Sequence, residues 1–395
     1  LGNPDLSIPV PDPITYGRDD VGGSPGYARV AGLGTRWRNA GTFEVGGYSQ
    51  GELLVEQGGV VETGSFDVYP SLDDLPNRAV FRSVGTRLQS QSTIAAGFGS
   101  TLSFEDGATF SAGAAISTSG LFELVGIGTA GTVDSANTGV RVNRGGILRV
   151  ADGATLQSTS IYNFVGAGAG DAVGPLAEMI VTGTGSVWDA GPANIYVAIN
   201  EFGVDGGAGL LKAEDNGIVR ADQILVGTGG TIWGHAGVFE ADVFVVGGQI
   251  LPGASPGRLK VDGDLSVDAA SRVVIEVGGL AAGVQHDFLE VTGDLEFNGT
   301  LAIEFVGGFA PRAGDVFEFL GVAGVADLSG ATIDIRNLNA GFQFELAPVQ
   351  GGIGLIALTS GTFVPEPNAL VLIALVLAGF FPRPFRAVPL SDGAC

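Results

Sequence analysis

Short apolar runs, each stopped by a glycine-bearing turn, set the rhythm of this chain through most of its length. Phe43-Glu-Val, Leu53-Leu-Val and Val243-Phe-Val-Val are examples. Such runs are too short and too rich in β-favouring residues for helices, and the glycines between them punctuate strands. The body is expected to be all-β.

The runs repeat. Four thirteen-residue segments align without gaps: GELLVEQGGVVET from Gly51, STLSFEDGATFSA from Ser100, GILRVADGATLQS from Gly146 and GLLKAEDNGIVRA from Gly209. Leu53, Leu102, Leu148 and Leu211 share one position, and Val55, Phe104, Val150 and Ala213 share the next but one. A spacing of two puts both side chains on one strand face. The polar turn that follows, Asp106-Gly107 in one copy and Asp152-Gly153 in another, lets the backbone reverse or turn a corner. A second element, V-x-G-x-G-[ST]-x-W, occurs as VAGLGTRW ending at Trp37 and VTGTGSVW ending at Trp188. One unit cannot bury its apolar face alone, but stacked units build a continuous core. A coil of roughly 20–25 residues would give on the order of 10 coils between 30 and 247. The units start 49, 46 and 63 residues apart (100 − 51, 146 − 100, 209 − 146), which is uneven for a regular coil.

From Gly248 the texture changes. LKVDGDLSVDAASRVVIEVGG from Leu259 matches LEVTGDLEFNGTLAIEFVGG from Leu289 through the string L-x-V-x-G-D-L. Strands there alternate well, with Leu301, Ile303 and Phe305 set against Ala302 and Glu304. Four regions follow: an irregular segment 1–29, a glycine-rich repeat solenoid 30–247, a β region 248–360 that closes the exposed end, and a tail 361–395.

In the tail, Val364-Pro365-Glu366-Pro367 precedes the apolar run 369–381, which is followed by Arg383 and Arg386. Prolines keep such a motif extended. The apolar run parks the tail in a bilayer with the arginines on the cytoplasmic side. Thirteen residues fall short of the roughly 20 that span a membrane unaided, so the attachment is transient.

These residues resemble a known family. The repeats are similar to those shared by type V secretion passenger domains and PEP-CTERM exported proteins, and the tail resembles the PEP-CTERM sorting signal. The resemblance implies an all-β, right-handed parallel β-helix or β-solenoid, with a C-terminal β capping region and a short apolar C-terminal helix. It also implies an exosortase-type enzyme that recognises Val364–Pro367, transient contact with the inner membrane through the tail, and a final place at the cell surface or outside the cell.

Composition narrows the function. Glycine makes up 67 of 395 residues, and the net charge is −23 with two lysines, Lys212 and Lys260. So acidic a chain is repelled by nucleic acid, and its charge keeps a long β surface soluble. The single cysteine, Cys395, permits no intrachain disulfide. The chain opens at Leu1 with no initiator Met or cationic leader, as expected of a chain whose signal peptide has been removed or of a fragment.

Catalytic strings fail on context. Ser49 and Ser255 both stand in G-x-S-x-G, but Pro256 lacks the N–H an oxyanion hole needs and Ser49 lies between strand-like runs. Gly126-Ile-Gly-Thr-Ala-Gly131 fits a dinucleotide fingerprint with no helix after it. Asp262, Asp264, Glu276 and Glu296 read as solvated strand and turn residues rather than cation ligands. No cofactor or metal is expected. Arg141, Arg144, Arg149 and Asp152 form the one cluster that would suit the enzymatic rival, a β-helix polysaccharide lyase or hydrolase. The expected function is non-enzymatic, structural or adhesive. The alternative is a glycan-binding module that uses variable loops and exposed aromatics on extracellular polysaccharide; Trp37, Trp188 and Trp233 offer stacking platforms for it, Trp188 foremost, although tryptophans in such repeats more often cap the solenoid core.

Overall fold

The computed structural model describes residues 26–364 except 48, 71–75, 167–174, 201–202, 204–205, 254–255 and 350–351. Every regular element among them is a strand. One sheet holds 13 strands and a second, bent sheet holds 22. Each turn of the chain lays one strand in the first sheet and two successive stretches in the second. A coil therefore has three faces, a first corner between faces one and two, and a bend between faces two and three. Twelve such coils follow one another: 26–45, 51–68, 78–96, 101–118, 121–142, 147–165, 177–197, 209–226, 230–245, 249–267, 272–297 and 300–327. A thirteenth strand, Thr332–Arg336, lies on the twelfth coil's first face. Neighbouring coils pair in parallel and in register, as with Leu53 against Ala79, Ala79 against Leu102, and Leu102 against Phe122. This is the pairing of a β-solenoid.

The inward positions are those that the repeat marked. Leu53, Leu102, Leu148 and Leu211 are buried, with Val55, Phe104, Val150 and Ala213 beside them in the same core. Their spacing is about twice a coil because each interval contains two coils, and it is uneven because coil length varies. The intervening coils begin at Arg78, Leu121 and Ala177. Coil length itself varies: Thr231 pairs with Gln249, 18 residues on (249 − 231), and Ala177 with Gly209, 32 residues on (209 − 177). In coil 7 the extra residues lie between faces three and one, whereas in coils 11 and 12 they lie between faces one and two.

Two kinds of first corner alternate along coils 1–8. Odd coils carry the sequence that ends in a hydroxyl, Gly32–Thr35, Ser83–Thr86, Gly126–Thr129 and Gly183–Ser186; even coils carry Gln57-Gly58, Asp106-Gly107, Asp152-Gly153 and Asp215-Asn216. In the even type both residues have positive φ, 52° at Asp106 and 86° at Gly107, which suits Asp or Asn followed by Gly. The buried hydroxyl locks the pair. Thr129 Oγ1 donates to the Val125 carbonyl at 2.8 Å and accepts the Gly107 N–H of the coil before it at 3.0 Å. Ser186 repeats this with Thr182 and Gly153 at 2.7 and 3.0 Å.

The solenoid does not change architecture at Gly248. Gln249–Leu251 pairs in parallel with the coils on either side, and parallel stacking runs on to Arg336. The boundary drawn there from strand texture is corrected: Leu259 and Leu289 are register partners in adjacent coils, as are Leu265 and Leu295. The antiparallel closing element is confined to Phe344–Val349 and Gly352–Ala357, the latter pairing with Val316–Val322.

Candidate functional site

On a solenoid, strand alternation decides which side chains can meet a partner. Trp188 lies inward and is 0% exposed, with its indole N–H unpartnered. No sugar can stack on it, so the assignment of Trp188 as a glycan contact is corrected. Its register partner Val219 is equally buried. Trp37 is also inward, edge-on to Phe43 at 4.7 Å. Trp233 is the outward tryptophan, since Ile232 beside it is in the core, and the Lys212 ammonium stands 5.8 Å from its ring centre.

The outward aromatics on face three were not singled out from sequence. Asn163 and Val165 point inward, which turns Tyr162 and Phe164 away from the core in coil 6, with Tyr196 following in coil 7; Phe164 is nonetheless only 2% exposed. Phe164 stacks on Tyr196 at 5.4 Å, Tyr162 sits 6.0 Å from Tyr196, and the Arg141 guanidinium lies 5.3 Å from the Phe164 ring. Tyr162 is 40% exposed and forms the open side of the cluster. Asn163 explains its placement. Buried inside the bend, its Oδ1 accepts from Val140 N–H at 3.1 Å and Ser158 Oγ at 3.0 Å, fixing which residues of this strand face out. The period-two pattern Tyr-Asn-Phe-Val carried this signal, but the inward residue is polar.

A polar cleft of about 380 Å³ runs along the bend of coils 1–3, lined by Arg38, Asn39, Glu62, Gln89 and Gln91 among others. Glu62 is its one carboxylate and is held by Arg36 at 2.9 Å and Arg38 at 2.7 Å. A glycoside-cleaving site needs two carboxyl groups.

The other candidate groups are dispersed. Arg141 is on face three of coil 5, whereas Arg149 lies on face one of coil 6, in register with Glu123, and Asp152 sits at that coil's corner. His286 is fully buried between carbonyls, with Nδ1 3.0 Å from Gly279 O and Nε2 2.7 Å from Glu318 O. Among the described residues no group of His, Cys, Asp and Glu could hold a metal.

Asp264 and Asp294, the aspartates that precede the last leucine of the L-x-V-x-G-D-L string, have a structural role together with Asp242. Asp242 accepts the Asp264 N–H at 2.9 Å, Asp264 the Asp294 N–H at 2.8 Å, and Asp294 the Val325 N–H at 2.7 Å. The three bonds lock the bends of coils 9–12. Gly293 precedes Asp294 because any Cβ there would run into the Asp264 carboxylate.

Val364 closes the described region, half-exposed, with its N–H on the Asn337 carbonyl at 2.8 Å. Pro365, Glu366, Pro367, the apolar run 369–381 with its expected helix, Arg383 and Arg386 lie outside the described residues. No helix among the described residues is long and apolar enough to cross a membrane. No protein-family model matches the chain, and no curated protein matches it significantly.

Proposed function

We propose that this chain is an exported, non-enzymatic component of a cell surface or extracellular matrix, a right-handed parallel β-helix that acts structurally or adhesively. An exosortase-type enzyme processes it at Val364–Pro367 while the tail holds it transiently at the inner membrane. The observation that carries the reading is the position of the motif. The last strand ends at Ala357, and Val364, the first residue of the motif, is half-exposed just beyond the closing hairpin and belongs to no coil. Intact-mass measurement on protein from the native surface tests it. The mature chain is expected to lack residues from about Pro367 onward, and Glu366→Ala is expected to leave it uncleaved. A surface-exposed chain that ends at Cys395 in a host possessing the enzyme overturns the processing reading.

A second reading, binding of extracellular polysaccharide, is favoured by Tyr162, 40% exposed, with the half-buried Tyr196 beside it. Aromatic faces beside polar groups such as Asn194 suit sugar rings. Tyr162→Ala is expected to lower affinity on a glycan array with the circular dichroism spectrum unchanged. Undiminished binding would remove this site from consideration. Nucleic acid is not a partner in either reading, given the net charge of −23.

A further inference from the structure

Of the thirteen asparagines in the chain, one is followed two residues on by a hydroxyl residue: Asn298, in Asn298-Gly-Thr300. Asn-x-Thr is the acceptor sequence for linking an oligosaccharide to an asparagine nitrogen, and it serves where it stands on the surface of a secreted chain. The fold meets that condition. Leu295 and Phe297 lie in the core, so alternation turns Glu296 and Asn298 outward at the end of face three of coil 11, and both are exposed. Thr300 opens face one of coil 12 and points outward, opposite the buried Leu301. Its hydroxyl makes no hydrogen bond among the described residues.

The solenoid does not itself call for an asparagine here. Neither Asn298 nor Gly299 takes the left-handed backbone that Asp106-Gly107 takes. Gly299 is needed for a close approach, since a Cβ there would stand 2.6 Å from the Ser271 carbonyl oxygen. The corner one coil earlier is tied down by its side chains. Asp268 and Ser271 both accept the Gly247 N–H, at 3.1 and 2.9 Å, and Ser271 Oγ donates to the Val245 carbonyl at 2.9 Å. The Asn298 side chain makes no such tie among the described residues. Its Nδ2 donates to Glu296 Oε1, two residues back in the same coil, at 3.0 Å. The following corner leaves space beside it, because a Cβ on Gly330 would fall on Asn298 Oδ1.

We infer that Asn298 is a glycosylation site, modified by a membrane oligosaccharyltransferase that draws on a lipid-pyrophosphate-linked oligosaccharide. The inference rests on the export proposed above, which brings the chain past the membrane that carries such a donor. Asn298 Nδ2 attacks the anomeric carbon of the first sugar. The nitrogen–carbon bond forms, the bond from that carbon to the pyrophosphate oxygen breaks, and the lipid pyrophosphate leaves with the electron pair. The nitrogen gives up one proton and keeps the other, so its hydrogen bond to Glu296 survives. The glycan projects from the corner between faces three and one. Val364 rests on Asn337, at the opposite end of the face-one strand Thr332–Arg336, so the glycan and the sorting motif use different corners.

Peptide mass spectrometry on the chain taken from the native surface tests it. The peptide that carries Asn298 is expected to be heavier than its sequence by the mass of an oligosaccharide. Asn298→Gln and Thr300→Ala should each abolish that gain, whereas Thr300→Ser, which keeps the hydroxyl, should retain it. These substitutions change outward side chains, so the circular dichroism spectrum should stay as it is. Asn137→Gln, at an exposed asparagine with no hydroxyl residue two positions on, should leave the gain in place. A surface chain whose Asn298 is bare or merely deamidated overturns the inference and leaves export standing. An added mass that survives both Asn298→Gln and Thr300→Ala overturns it as well. A chain confined to the cytoplasm overturns both the inference and the export on which it rests.

Discussion

Coils 1–8 and coils 9–12 hold their register by different chemistry at different places on the coil. In the first group the lock is a neutral hydroxyl at the first corner, satisfied on both sides by backbone of its own and the preceding coil. In the second the first corner is irregular, and the lock moves to the bend, where a column of aspartates accepts N–H groups from the following coil. The interiors differ as well. Phe43, Phe66, Phe81, Phe104 and Phe122 form a continuous aromatic spine through coils 1–5, with ring centres 4.9–5.8 Å apart. Coils 8–11 are filled mainly by Val, Ile and Leu. Parallel stacking alone leaves a coil free to slip or splay at its turns, and each half removes that freedom with the side chains its composition supplies.

The largest expected effect separates the interiors. Phe104 touches Phe81, Phe110 and Phe122, so Phe104→Ala opens a cavity at the centre of the spine and should cost about 3–5 kcal/mol in urea unfolding. Hydrogen exchange should show the loss spreading through coils 3–5 and leaving coils 9–12 protected, since stacked coils couple mainly to their neighbours. Uniform loss along the chain would mean that the two halves are one cooperative unit.

The two locks come next. Gly293→Ala should destabilise coils 10–12 by about 1–3 kcal/mol through overpacking against the Asp264 carboxylate. The penalty should shrink in an Asp264→Ala background, a coupling that a double-mutant cycle measures. Thr129→Val removes a buried donor and acceptor and should cost about 1–3 kcal/mol, localised to coils 4 and 5.

The smallest effect is pH dependence, which has opposite signs at particular sites. Burial raises Asp67 to about 6, helped by Glu44 in register beside it, and burial raises Asp287 to about 6 against the pull of two backbone N–H groups. A raised carboxyl contributes stability below its unfolded pKa and loses it as pH climbs through the folded value. Glu56, held low by hydrogen bonds from Arg29 and Arg82, does the reverse and loses its contribution on acidification. Between pH 4 and 7 the midpoint of melting should fall by roughly 2–4 °C, and less in Asp67→Asn. A midpoint that rises through this window would give the arginine-held carboxylates the larger share.

Much of the shaft was legible because strand alternation and glycine turns are local. Leu53, Leu102, Leu148 and Leu211 could be aligned by eye, and all four are inward. Coils 1 and 7 showed themselves through the element that ends in tryptophan, but coils 3 and 5 escaped: Gly126-Ile-Gly-Thr resembles a nucleotide loop more than it resembles Asp106-Gly107, although the two stack directly. The string L-x-V-x-G-D-L was visible, but its aspartate acts on a residue some thirty positions away, which no local pattern reveals. The site was least legible. Trp188 drew attention as an aromatic although strand alternation turns it inward, and a buried polar Asn163 hid the outward turn of Tyr162.

The alternation of corners also constrains how long such a chain can become. Removing coil 4 alone would set the hydroxyl corner of coil 3 directly against that of coil 5. Thr129 would lose the glycine N–H it accepts, and Val84, which lies over Gly107, would meet Ile127 in the adjacent layer with no glycine between them. Removing coils 3 and 4 together would bring the hydroxyl corner of coil 5 onto the glycine corner of coil 2 and restore both contacts. Growth and loss along coils 1–8 are therefore quantised in pairs, a parity rule for duplication as much as for anyone cutting the shaft to a chosen length.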